Sequence, residues 1–416
     1  MAASCASYTQ ENREVRQLYT ADRYREALDK LEESSIKDEG KNRLLYRMEK
    51  ASLLDRMGER AKARKLLIEA DKIADELFTV SVSKTVTSFL VNDASTDYDG
   101  EDYERIFIHT MLALGFLQDN DINGARVEAR KINNKLYEIN QKYDDNKNRY
   151  AEDALARFLS GMIYEASGDF DNAIIDYKAS LKLYEGTFQD FNDSKIPTAL
   201  IQSLYRTLRH RDRGTDATAI AKSYPKVTQE IDAFDSTHKE AGEVVVIHEV
   251  GSIAIKENTE IVLPIGGQII RASFPVIKKR GFVTTGGAGV EVEGAGTFYP
   301  AAQAVSLTEI ASATLDDKRS RLIAKEGGRL VAKAALTEQA YKNFGPLGGI
   351  AANIYSAVSN TGDTRGWTLL PHAILVTKVR LKPGSYSLRL KGPYKVDSVQ
   401  KVQIVAGKTL FFRTFE

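Results

Sequence analysis

Over much of the first half of the chain, apolar residues return at every third or fourth position. Leu155, Phe158, Leu159, Met162 and Ile163 form one such stripe. Gly168 interrupts it, and Phe170, Ala173, Ile174, Tyr177, Leu181 and Tyr184 form the next. A period near 3.6 places each set on one helix face, so the pair predicts two helices joined by a tight turn.

The same hairpin recurs. When the turn residues Asp22, Gly58, Asn120 and Gly168 are aligned, an alanine follows each at the same distance: Ala27, Ala63, Ala125 and Ala173. Upstream of the turns a small residue stands in three copies, Ala51, Ala113 and Gly161, with Val15 in the first. Downstream come Leu31, Leu67, Ala129 and Tyr177. Small residues let two helices cross closely while larger ones fill the groove beside them, which is the tetratricopeptide (TPR) pattern. LSGMIYEASGDFDNAIIDYKASL (159–181) is its clearest copy. The others are degenerate and unevenly spaced, so the expectation is a TPR-like array of about four hairpins over 10–235. Such repeats stack into a concave surface suited to a partner peptide or helix.

Between the second and third hairpins lies STDYDGEDYERIF (95–107). Tyr98, Glu101, Tyr103 and Glu104 lead into a helix, whose dipole favours acids at its start. The next helix carries Arg126, Glu128, Arg130 and Lys131. A Glu–Arg network between these two helices is expected, as a buried ion-pair cluster setting helix geometry or as part of a partner site.

After about residue 240 the period changes. EVVVIHEV, SIAI, EIVLPI and QIIRASF are short β-branched runs separated by turn residues, and GVEVEG alternates as a half-exposed strand does. Ser306 and Glu309 form a capping-box signature, opening an Ala/Lys/Arg/Leu-rich helical excursion over about 306–360 that ends with the small-residue segment GGIAANIYSAVS. Strands resume at HAILVTKVRL, KPGSYSLRL, SVQKVQIV and TLFFRTF. The whole predicts an α+β protein: residues 1–9 as an anchor or linker, the helical array, then a sandwich-like β-rich domain over 240–416 with its helical insertion. GDTRGWTLLP (362–371) lies at the return to strand and holds Trp367, the sole tryptophan, after Asp363 and Arg365. It reads as a junction in which Trp367 plugs a seam; the alternative is a recognition hot spot, where an aromatic beside an arginine is common.

Composition narrows function by exclusion. A net charge of +1 gives no global field for nucleic acid or an anionic membrane. Neither VAGKT, GGAGVEVEGAG, HEVGS nor HRD has the spacing or setting of a phosphate loop, dinucleotide fingerprint, zincin or kinase loop. The histidines lack metal-ligand spacing. No catalytic residue, metal or cofactor is therefore assigned, and the expectation is a non-enzyme. The one cysteine, Cys5, follows small residues in MAASC, which resembles the end of a bacterial lipobox, although Ala2 stands where leucine is usual. Cys5 is thus either a lipid attachment site or an ordinary thiol.

YDGEDYE, a helix ending near FLQDND, ARVEARKINNKL, a TPR-like hairpin, then DTRGWTLLPHAI and LKPGSYSLRL together resemble a family of bacterial envelope lipoproteins with TPR-like N-terminal halves. The likeness runs from about residue 10 to the end. It implies a lipidated Cys5, a place on the periplasmic face of the outer membrane, and envelope protein partners, including lipoproteins like those of curli secretion or penicillin-binding-protein activation. No catalytic residues come with it. The function expected is an anchored periplasmic scaffold. The alternatives are a peptidoglycan- or glycan-binding or -acting module in the β-rich half, or a cytoplasmic TPR adaptor.

Overall fold

The protein is described from a computed structural model, over residues 8–37, 40–83, 96–142, 150, 152–186, 188–192, 194–238, 240–265, 268–279, 283–294, 296–318, 362–394 and 398–416. Cys5 lies outside these residues, as does most of the expected helical excursion, including GGIAANIYSAVS.

The helical part comprises α1 (Tyr8–Glu11), α2 (Arg13–Thr20), α3 (Tyr24–Glu33), α4 (Arg43–Arg56), α5 (Arg60–Ser83), α6 (Asp102–Gln118), α7 (Ile122–Lys142), α8 (Ala154–Ala166), α9 (Phe170–Tyr184), α10 (Thr198–His210), α11 (Gly214–Ser223) and α12 (Pro225–Thr237). The four aligned turn residues all adopt the left-handed conformation, with φ of 59° at Asp22, 77° at Gly58, 57° at Asn120 and 80° at Gly168. Asp212 does the same at 52°. Each turn is closed by the same pair of hydrogen bonds. The amide after the turn residue reaches the carbonyl five residues back, as in Arg23 to Leu18, Glu59 to Leu54, Asp121 to Phe116, Asp169 to Tyr164 and Arg213 to Leu208. The turn residue's own amide reaches three residues back. This is the Schellman closure, which satisfies helix-end carbonyls and reverses the chain.

The array expected to hold about four hairpins therefore shows five such turns among the described residues, the last joining α10 to α11. Its aligned alanine, Ala217, is buried like Ala27, Ala63, Ala125 and Ala173. Polar Asp212 in an arginine-rich stretch hid this copy, but the alanine spacing was there to be read. The small residues upstream work as the pattern requires. A Cβ on Gly161 would come within 2.4 Å of the Tyr177 ring, so only glycine permits this crossing of α8 and α9.

The strands are β1 (Gly242–Val250), β2 (Ile255–Ile265), β3 (Gln268–Lys278), β4 (Gly289–Val292), β5 (Thr297–Pro300), β6 (Ala302–Ser306), β7 (Ala373–Leu381), β8 (Gly384–Lys391), β9 (Ser398–Ile404) and β10 (Thr409–Phe415). One sheet has the order β10-β1-β7-β6, another β5-β4-β8-β9, and β2 pairs with β3 as a hairpin. In the first sheet β10 runs parallel to β1 while β7 runs antiparallel to it. Val244 and Val246 of β1, Val379 and Leu381 of β7, Val290 and Val292 of β4, and Leu388 and Leu390 of β8 share one apolar core, completed by Val402 and Ile404 of β9. Alternation on β4 and β8 thus gives a sandwich interior, as sheet-on-sheet packing requires. β1 is buried at every position, Glu243, His248 and Glu249 included, and the apolar run 244–247 at its centre is that of a strand covered on both faces. Ser306 Oγ accepts the Glu309 amide at 3.3 Å and starts a helix described over 307–318, as the capping signature predicts.

The chain forms two compact units, each assembled from three stretches. One comprises residues 1–105, 254–280 and 311–369; the other comprises 106–253, 281–310 and 370–416. The first holds α1–α5 and the β2–β3 hairpin. The second holds α7–α12 and both larger sheets.

Gly161→Ala is expected to destabilise the second unit by about 1–3 kcal/mol, the usual cost of overpacking a filled site. Urea unfolding followed by circular dichroism checks this; a midpoint equal to wild type would show that Tyr177 yields without cost.

Candidate functional site

In the first unit, the residues singled out around Trp367 converge. α4 presents Glu49 and Ser52 on the face that its apolar residues Leu45 and Met48 share, and all are buried. The Glu49 carboxylate accepts the backbone amides of Thr368 at 2.8 Å and Leu369 at 3.1 Å, and also the hydroxyls of Thr368 and Tyr8. Asn12 donates to the same carboxylate at 3.2 Å. Glu104, at the start of α6, accepts the Trp367 amide at 2.7 Å, the Tyr98 hydroxyl at 2.6 Å and the Glu101 amide at 3.1 Å. Tyr103 also reaches Glu104, at 3.5 Å. The Trp367 indole N–H donates to Ser52 Oγ at 2.9 Å. Three consecutive amides of an irregular segment are therefore paired by two buried carboxylates. Unpaired, each would carry a desolvation penalty of about 1–3 kcal/mol.

Arg365 and Asp363 set the approach to this segment. The Arg365 guanidinium binds Asp363 through Nη2 at 2.7 Å and the Thr96 carbonyl through Nη1 at 2.9 Å, and lies 5.3 Å from the centre of the Tyr98 ring. Burial alone would raise the Asp363 carboxyl, but Arg365 outweighs it and holds it below the ordinary value. Glu101 faces Lys256 at 2.5 Å and also Lys318. Burial would raise its carboxyl too; the two ammonium groups prevail and hold it well below the usual range. Glu104 behaves oppositely: burial, reinforced by the Glu101 charge, pushes it up to about 7 against the pull of its hydrogen-bond donors. Glu49 is likewise raised by burial, opposed by Thr368 and Tyr8.

Of the expected residues, Tyr98, Glu101, Tyr103, Glu104, Asp363, Arg365 and Trp367 thus join one buried network. Its other members, among them Tyr8, Asn12, Glu49, Ser52 and Lys256, went unmarked in the sequence. Arg126, Glu128 and Arg130 belong to the second unit. There, His109 Nδ1 of α6 meets Glu128 of α7 at 2.7 Å. Arg126 reaches Asp169 at 3.3 Å, and Arg130 is exposed.

The second unit has its own buried charge cluster. Lys378 of β7 meets Glu165 of α8 at 2.9 Å, Glu243 of β1 at 2.8 Å and Ser203 of α10 at 2.7 Å. Arg206 of α10 bridges Glu165 at 2.8 Å and Glu243. Burial would raise the Glu243 carboxyl, but Arg206 and Lys378 outweigh it and lower it. The helices and strands are also tied by Tyr184 donating to the Ala304 carbonyl at 2.6 Å and Asn192 to that of Ser306 at 2.9 Å. Beside this cluster opens a cleft of about 380 Å³, walled by Phe170, Arg206, Arg209, His210, Asp235 and Arg380. The ring of Phe170 lies 4.2 Å from that of His210, centre to centre. Among the described residues no group of His, Cys, Asp and Glu is placed to hold a metal ion, and no helix is long and apolar enough to cross a membrane.

No family model and no curated protein matches the sequence. Among solved structures, the chain is similar to the nearly identical TPR-like repeats, in a Q17M form, of a kinesin light chain candidate from Podosopora anserina. Identity is 13%, over 54% of this chain and 95% of that one, with a TM-score of 0.33. It is also similar to MamA of AMB-1, at 15% identity over 54% of this chain and 90% of that one, TM-score 0.31. A third likeness is to BtubC of P. vanneervenii, at 16% identity over 54% and 77%, TM-score 0.32.

Two outcomes follow from the first unit. Trp367→Ala should cost about 3–5 kcal/mol, as for other buried large-to-small changes; denaturant unfolding with near-wild-type stability would contradict a structural role. The pH dependence has a definite sign. A carboxyl raised from 4.5 to about 7 on folding holds an extra proton between those values. Its contribution favours the folded state at low pH and is withdrawn as pH rises towards 7. Glu101, lowered on folding, contributes above its unfolded value and loses that contribution in acid. The stability advantage of wild type over Glu104→Gln should therefore shrink between about pH 5 and about pH 8, by on the order of 2 kcal/mol. A difference independent of pH would mean that Glu104 stays charged throughout.

Proposed function

We propose that the chain is a non-enzymatic scaffold for protein partners, anchored through a lipid on Cys5 at the periplasmic face of the outer membrane. The observation that carries the scaffold reading is the set of helical hairpins closed by one repeated turn, the architecture of repeat proteins that present surfaces to other proteins. The fate of the buried carboxylates supports it: Glu49 and Glu104 are used to hold the protein's own backbone.

The hairpin faces are partly occupied from within. In the first unit the 367–369 segment covers α4 through Glu49 and Ser52. In the second, β7 engages α8 and α10 through Lys378. Partner binding therefore falls to surfaces other than these. The anchor and the envelope partners rest on the MAASC motif and on the resemblance to envelope lipoproteins. The second reading, a ligand-binding module, is favoured by the cleft of the second unit.

The mass of the N-terminal peptide from protein made at its native locus tests the anchor. A di- or triacylated peptide beginning at Cys5 is expected; a peptide carrying Met1 and a free Cys5 thiol would refute the anchor and return the protein to a cytoplasmic adaptor. Crosslinking in native membranes tests the scaffold, which predicts a reproducible, saturable envelope partner.

A further inference from the structure

We propose that the cleft of the second unit is a binding site for a carboxylate. The inference rests on the balance of donors and acceptors around the cleft and does not depend on the scaffold reading. Three guanidiniums line it, from Arg206, Arg209 and Arg380, against two carboxylates, Glu165 and Asp235. His210 adds an imidazole at the mouth.

The acceptors are largely spent. Glu165 takes Arg206 on one oxygen and Tyr177 and Lys378 on the other. Asp235 takes Arg380. The end of α10 would ordinarily offer carbonyls that repel an anion. Here the carbonyls of Thr207, Leu208 and Arg209 already accept the amides of Arg211, Arg213 and Asp212. The Thr207 hydroxyl is committed to the Ser203 carbonyl at 2.7 Å.

Donors remain. Arg209 donates through Nη1 to Asp232 and also reaches Tyr205, and its remaining N–H groups belong to a half-exposed side chain. Arg380 uses Nη1 on Asp235, approaches Glu243 through Nε at 3.5 Å and lies 5.1 Å from the centre of the Phe234 ring; among the described residues no hydrogen bond uses its Nη2. The His210 ring packs on Phe170 and is exposed, and among the described residues no hydrogen bond reaches either of its nitrogens. Guanidinium and imidazole N–H groups suit a planar carboxylate, which can take two parallel N–H bonds from one arginine. Two further carboxylates, Asp232 and Glu243, stand behind Arg209 and Arg380. They hold the arginines in place, and with them the four carboxylates balance the three guanidiniums and Lys378, so the cleft offers hydrogen-bond donors rather than net positive charge, which favours a singly charged group over a multiply charged one. Phe170 supplies an apolar wall for whatever body carries that group.

The same chemistry is available from a free organic acid or from an acidic residue of a protein partner. Calorimetric titration of the full chain at constant ionic strength separates them, with sodium benzoate in one arm and a short acetylated, amidated peptide bearing one glutamate in the other. Saturable one-site binding is expected in at least one arm. Tighter binding of benzoate identifies a free acid, and tighter binding of the peptide identifies a protein-borne one. Arg209→Gln should weaken the preferred probe roughly tenfold or more, since it removes a charge-assisted hydrogen bond. The Arg209 side chain is half exposed, so the variant should fold, as circular dichroism will show; should it not, His210→Gln on the same exposed rim serves instead. Absence of saturation in both arms up to roughly 10 mM, or variants that bind as wild type does, would overturn the proposal.

Discussion

Two carboxylates accepting main-chain amides hold the first unit together. Glu49 and Glu104 take the amides of Trp367, Thr368 and Leu369, and no helix or sheet ladder pairs those groups otherwise. A buried segment without regular structure must find partners for its backbone, or lose more than packing returns. Carboxylates are strong acceptors and can serve two or more donors each, so two residues suffice for three amides. Their own burial is costly, which is why both sit above the ordinary carboxyl range while Glu101, flanked by lysines, sits below it. The tryptophan is thereby fixed at both ends, through its amide and its indole.

The second unit solves a similar problem with ion pairs. Lys378 and Arg206 each touch both Glu165 and Glu243, so that strands β1 and β7 and helices α8 and α10 meet around a closed charge cluster. Such clusters add little net stability over apolar packing, but losing one member strands the others without water, so geometry is held tightly. Arg206 of that cluster also lines the cleft beside it.

The helical hairpins were legible because two independent signals coincided, the 3.6 period and the alanine placed at a fixed distance after each turn. The turn at Asp212 escaped because its polar neighbours mask the period, although Ala217 keeps the spacing. Strand alternation on β4 and β8 was readable for the same reason, one face being buried in the sandwich. The Trp367 segment was recognisable as a junction from its composition. Its partner Glu49 was not, since one acid in a helix usually points to solvent; the clue was its position beside Met48 and between Leu45 and Ser52 on a buried stripe. Long-range ion pairs such as Lys378 with Glu165 leave no local pattern at all. They depend on which strand the fold brings beside which helix, and no periodicity encodes that.

A single indole in a chain of this length has a practical consequence. Trp367 belongs to the first unit, is 1% exposed, and hydrogen-bonds Ser52 of α4. Tyrosines are spread through both units, so far-ultraviolet ellipticity and tyrosine emission average over the whole molecule. Tryptophan emission, by contrast, watches one unit alone. The protein thus carries an intrinsic optical label whose spectrum separates the loosening of α4 and its strap from events anywhere in the second unit, without any chemical modification.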